Sequence, residues 1–155
     1  MLTRSAPNHI PADVPRELHE AWYRYKAIVK LGHPALEQVA KPVTRYNTET
    51  HNLISRMSAA MREANGLGLA APQLGVSMRI IVYASGDDIK VLVNPKIISQ
   101  KGEQLDPPEG CLSIPGLQGQ VLRAKEVRVK GFDERGRAVS RRALDLHRLK
   151  GGTVL

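Results

Sequence analysis

Gly66-Leu67-Gly68-Leu69-Ala70-Ala71-Pro72-Gln73 puts two glycines, two alanines, a proline and a polar amide into one short stretch. Side chains this small let a backbone come close to a ligand or to another segment. Taken alone, the stretch reads equally as a helix C-cap running into a loop. The residues before it form the clearest helix in the chain. Asn47 or Thr48 can cap it, Leu53, Ile54, Met57, Ala60, Met61 and Ala64 recur at helical spacing, and Asn65-Gly66 stops it. Methionines on such a face read as core packing. The helix therefore delivers the glycine-alanine stretch to its place, and Gln73 emerges at the end of that loop, just before an apolar strand from Met78 to Tyr83.

Further along stands Glu109-Gly110-Cys111-Leu112-Ser113-Ile114-Pro115-Gly116, which holds the only cysteine of the chain. A lone thiol has no internal disulfide partner, so Cys111 is buried filler, a metal ligand or a nucleophile. Gly110 allows close backbone approach, Pro115-Gly116 turns the chain, and Glu109 sets a carboxylate beside the thiol. Between the two stretches, Ser85 to Asp88 reads as a turn, and Lys90 to Asn94 as a buried strand closed by Pro95 and continued by Ile97 and Ile98. Lys101 to Pro108 reads as a polar connection that presents the cysteine stretch. After Gly119, one long strand from Gln120 to Phe132 alternates Val127 and Val129 with Arg128 and Lys130, and Asp133-Glu134-Arg135-Gly136 turns it back. Strands around one strong helix, without regular βαβ repetition, predict an α+β fold with antiparallel or mixed sheets.

In this order and at this separation, GLGLAAPQ and EGCLSIPG resemble the peptide deformylase family, metal-dependent hydrolases that remove the formyl group from N-terminal formyl-methionine. The resemblance covers roughly residues 27 to 136. It implies a peptide deformylase-like fold, nascent formyl-methionyl peptides as substrate, and a divalent metal, usually iron(II) and replaceable by zinc, nickel or cobalt. It implies that Cys111 binds the metal and that the Gln73 amide and the Leu112 backbone N–H stabilise the oxyanion. Gly66, Gly68, Glu109 and Gly110 are then the substrate-binding positions. In the family, the remaining metal ligands come from an H-E-x-x-H helix, whose spacing puts both imidazoles on one helical face. The chain has no H-E-x-x-H. Ala143-Leu144-Asp145-Leu146-His147-Arg148-Leu149-Lys150-Gly151-Gly152 stands in its place, which leaves His147 as the second metal ligand and Asp145 as the stand-in for the catalytic base. The alternative expectation is a catalytically inactive homologue that binds formyl-peptides or the ribosome.

The 155 residues suit one domain with one core. Residues 1–26 read as an N-terminal extension, punctuated by Pro7, Pro11 and Pro15. Within it, Arg16 to Lys26 forms a short helix carrying Leu18, Trp22 and Tyr25 on one side. Residues 27–155 then form the deformylase-like domain with a shortened C-terminal region. His33, in a Gly32–Pro34 turn, reads as solvent-exposed, and His9, His19 and His51 lack ligand spacing. The net charge is +8, and from Val121 onward ten Lys/Arg face four acids. That basic stretch reads as a solvated strand face or as a footprint for an anionic partner, ribosomal RNA by the resemblance. One Phe, one Trp and four Tyr make no base-stacking platform. The absence of a long apolar run or a leader pattern predicts no membrane span and a cytoplasmic protein.

Overall fold

The structure is a computed structural model that describes residue 10, residue 12 and residues 14–142. Its strands are β1 (Gly68–Ala70), β2 (Ile80–Ser85), β3 (Asp88–Lys101), β4 (Gln104–Leu105), β5 (Glu109–Cys111), β6 (Ile114–Gly119), β7 (Leu122–Arg123), β8 (Glu126–Phe132) and β9 (Ala138–Arg142). Five of them make an antiparallel sheet in the order β1-β2-β3-β8-β9, while β4 pairs with β7 and β5 with β6. The helices are α1 (His19–Arg24), α2 (Pro34–Glu37) and α3 (Thr48–Glu63). This is the α+β architecture that the sequence predicts.

The Asn47 side chain caps α3 by accepting the Thr50 N–H at 3.1 Å. Leu53, Met57, Ala60 and Met61 from α3 pack with Leu69, Ile80, Val82 and Val93 from the sheet. On the other face Ala70, Ile81, Tyr83, Leu92 and Val129 form a second cluster. Successive β2 residues thus alternate between two buried faces, which is why Ile80-Ile81-Val82-Tyr83 is apolar throughout rather than alternating.

Several local expectations need correction. Pro95 does not close a strand, because β3 runs through it to Lys101. A proline has no N–H for the ladder, and the register to β8 shifts between Val93 and Lys96 to accommodate it. Asn94, at φ 50°, turns its side chain to Val43 instead, accepting the Val43 N–H at 2.8 Å and donating to its carbonyl at 2.9 Å. The single strand expected from Gln120 to Phe132 is two, β7 and β8. The 101–108 connection holds β4, and the Lys125 N–H reaches Gly102 O at 3.4 Å where β7 gives way to β8. His33 is half-buried rather than exposed, because its Nδ1 accepts the Ala35 N–H at 3.1 Å and caps α2. The glycine-alanine stretch is β1 followed by a 3-10 turn from Ala71 to Leu74, ended by Gly75 in the left-handed region at φ 76°. Arg128 and Lys130 face solvent while Val129 is buried, as the alternation predicts.

Candidate active site

The two motifs meet at both their ends. Gln73 lies in the 3-10 turn, where its Oε1 accepts the Ala70 N–H at 2.9 Å, so the amide cannot rotate freely. That fixes its Nε2 toward the second motif, 3.2 Å from Ser113 Oγ and 3.9 Å from Cys111 Sγ. The first distance is a good hydrogen bond, and the second is a long contact to a weak acceptor. Gln73 and Ser113 are buried at 6% and 4% exposure, whereas Cys111 stays half-exposed. At the other end, a Cβ on Gly66 would stand 2.8 Å from Leu112 Cδ1, so the glycine makes room for Leu112.

The hairpin that carries Cys111 is short. Cys111 pairs with Ile114, and Leu112-Ser113 forms the turn between them. Two backbone bonds tie this turn and the Gln73 turn to a third segment: the Val29 N–H donates to Gln73 O at 2.8 Å and the Leu31 N–H to Ser113 O at 2.9 Å. Lys30 between them is buried at 4% exposure, and its ammonium donates to the carbonyls of Tyr25, at 3.0 Å, and Ile28. Burial pushes its pKa down.

Of the other residues predicted for the site, Gly68 lies in β1, the edge strand of the five-stranded sheet, opposite Tyr83. Gly110 lies in β5 with the Leu117 carbonyl 3.5 Å from where its Cβ would be, an ordinary contact. The Glu109 carboxylate is engaged by Arg123, whose Nε lies 3.0 Å from Oε1 and whose terminal nitrogen lies 2.5 Å from Oε2. That hydrogen bond raises the Arg123 pKa against the opposing effect of burial. Leu112 is half-buried against Gly66. Asp145 and His147 lie outside the described residues. Ser113, Val29 and Leu31 were not legible as site residues: two act through main-chain groups, and a serine beside a cysteine carries no spacing signal.

The two motifs thus form one cluster, in which a side-chain amide held on Ala70 meets the thiol and the serine of the hairpin and Gly66 leaves room for Leu112. Comparison with known proteins gives the chain a family. The sequence profile described as polypeptide deformylase matches residues 25–147. The peptide deformylase of Halothermothrix orenii is 48% identical over 118 residues, covering 75% of this chain and 76% of its own. That of Carboxydothermus hydrogenoformans is 46% identical over 112 residues, 72% and 73% of the two chains. Among solved structures, a peptide deformylase from Legionella pneumophila superposes with a TM-score of 0.72 at 36% identity over 81% and 80% of the chains. One from Thermotoga maritima gives 0.73 at 32% identity over 82% and 92%. The chain belongs to the polypeptide deformylase family.

That family is metal-dependent in general. Among the described residues, no group of three His, Cys, Asp or Glu side chains gathers to hold an ion. His19 Nε2 is occupied at Val14 O, 3.1 Å away, and His51 Nε2 at Glu134 O, 2.8 Å away. Among the described residues Cys111 is the one metal donor at the junction of the motifs, and a single sulfur donor does not make a site that wants three protein ligands. The described residues therefore do not by themselves fit the ion.

Proposed function

We propose that the chain is a peptide deformylase, taking nascent formyl-methionyl peptides and hydrolysing the formyl C–N bond. The observation that carries this is the Gln73 amide, which is anchored on Ala70 N–H at 2.9 Å and directs its N–H donors to the Cys111 end of the hairpin. A preorganised donor of this kind stabilises an oxyanion without reorganising during the reaction. In this reading Gln73 Nε2 and the Leu112 backbone N–H receive the formyl oxygen. The peptide lies along the open edge of β1 at Gly66 and Gly68 as an added strand, and Gly110 lines the opposite side. Glu109 acts by fixing β5 through Arg123.

The metal donors we assign are Cys111 and His147, with Asp145 as the base and iron(II) as the ion, zinc, nickel or cobalt being substitutes. Such an ion supplies an activated water when bound. The deformylase unit is residues 27–155, and residues 1–26 are an extension to it. Its compartment is the cytoplasm, where nascent chains carry the formyl group. The outward Arg128 and Lys130 of β8 add a basic face suited to ribosomal RNA. No helix among the described residues is long and apolar enough to cross a membrane.

The test is formate release from formyl-Met-Ala by the full chain, purified without oxygen and supplied with nickel or iron(II), beside a Cys111→Ala control. Release that disappears in the control is the expected result. A folded chain that binds the peptide and releases no formate would instead make it an inactive formyl-peptide-binding homologue.

A further inference from the structure

The segment ahead of the family match is built into the hairpin that carries Cys111. Residues 16–24 lie outside the matched 25–147, yet Trp22 in α1 is 1% exposed, and α1 packs on β6. The contact has a specific seat. Gly116 in β6 adopts φ +83°, and a Cβ placed there would stand 2.3 Å from Leu18 Cδ2. Only a glycine leaves that space and accepts that backbone without strain. Leu18 therefore fills the place of a side chain on the strand that pairs with β5.

The same length of chain then turns and grips the site from its other end. Lys30 holds the carbonyls of Tyr25 and Ile28, and the flanking Val29 and Leu31 N–H groups bond Gln73 O and Ser113 O at 2.8 and 2.9 Å. Residues 16–31 thus touch the Cys111 hairpin at β6, touch its Leu112-Ser113 turn, and touch the Gln73 turn. A hairpin this short has few contacts of its own to hold it in one position. We propose that Leu18 and Trp22 are positioning residues for Cys111: the 3-10 turn Arg16–Leu18 and the α1 helix that follows it clamp β6 and thereby hold the thiol against Gln73. The inference rests on Cys111 being a site residue and not on which reaction it serves.

Cys111 is the only cysteine, so its rate of reaction with a thiol reagent such as DTNB reports the hairpin alone. The experiment uses the full chain with EDTA present, well below its melting temperature. Leu18→Ala and Trp22→Ala are each expected to speed the Cys111 reaction about tenfold, by loosening the hairpin locally. Leu53→Ala, a comparable loss of packing in the core beneath α3, should leave the rate unchanged. Gly116→Ala should also speed the reaction, and adding Leu18→Ala to it should produce little further change, because one substitution has already undone the contact. Equal rates in wild type, Leu18→Ala and Trp22→Ala would overturn the proposal, as would an equal rise in Leu53→Ala or strictly additive effects of Leu18→Ala and Gly116→Ala. Altered thiol rates in a chain that releases no formate would sink the deformylase reading and leave this one standing.

Discussion

Replacing Gln73 by Leu keeps roughly the same volume and removes its hydrogen bonds. The Ala70 N–H, on a residue 7% exposed, loses the acceptor 2.9 Å away. Gln73 is itself 6% exposed, so water has poor access to take over. An unsatisfied buried N–H costs about 1–3 kcal/mol. For a chain of this length each kcal/mol moves Tm by about 2–4 °C. Thermal melts of Gln73→Leu should therefore fall by roughly 2–12 °C, toward the lower end where the leucine recovers some apolar burial. Catalysis should suffer more. Loss of one oxyanion donor costs about 10²–10³ in kcat, so formate release should drop by that factor at a temperature where the variant is folded. Ser113→Ala separates the two effects: it removes the partner 3.2 Å from Nε2 and leaves the Ala70 anchor in place. It should cost about 0.5–1.5 kcal/mol and spare most of the activity. A Gln73→Leu chain that melts and turns over like wild type would refute the anchoring and the donor role together.

Gly66→Ala should force Leu112 aside, since the new Cβ would stand 2.8 Å from its Cδ1; urea melts should show a loss of about 1–3 kcal/mol, relieved by Leu112→Ala in the same chain. Glu109→Gln breaks the two-point contact with Arg123, whose side chain is 29% exposed against 10% for the glutamate. It should lower the urea-derived stability by about 1.5–3 kcal/mol. Asp133 governs a pH effect. Burial raises its pKa, but the Arg137 N–H, the Arg137 guanidinium and the Arg135 N–H outweigh that and hold it below the ordinary carboxylate value. Its stabilising contribution is therefore complete above the unfolded value of about 3.9 and is lost as pH falls through the lower folded value. The stability gap between wild type and Asp133→Asn should accordingly be open at neutral pH and close in acid, and a gap that widens in acid would contradict the assignment.

The parts of this fold that were legible in the sequence are those where one physical rule acts alone. Asn47 followed by Leu53, Ile54, Met57, Ala60 and Met61 specifies a capped helix with one buried face, and α3 is that helix. Ser85-Gly86-Asp87-Asp88 specifies a hairpin turn, and Ser85 pairs with Asp88 across it. Pro95 misled because a proline ends a regular ladder, while here a register shift and the Asn94 side chain on Val43 absorb it. Likewise the break between β7 and β8 is set by the tertiary contact of Lys125 with Gly102, which has no local signature. At the site, Gln73, Cys111 and the glycines were found through their motifs. The anchoring of Gln73 by Ala70 and the ties from Val29 and Leu31 run through backbone groups that every residue type possesses, so no residue choice could announce them.

In the proposed reaction the two motifs form one site in which the Gln73 amide receives a formyl oxygen. The most direct measurement is the resonance of the Gln73 side-chain amide in the ¹⁵N-labelled full chain as formyl-Met-Ala is added, with Met-Ala as the unformylated reference. The formylated peptide should shift this resonance saturably, Met-Ala should not at the same concentrations, and Gln73→Leu should lose the affinity difference between the two. Saturable binding of formyl-Met-Ala with the Gln73 amide unmoved, or equal binding of both peptides, would contradict it.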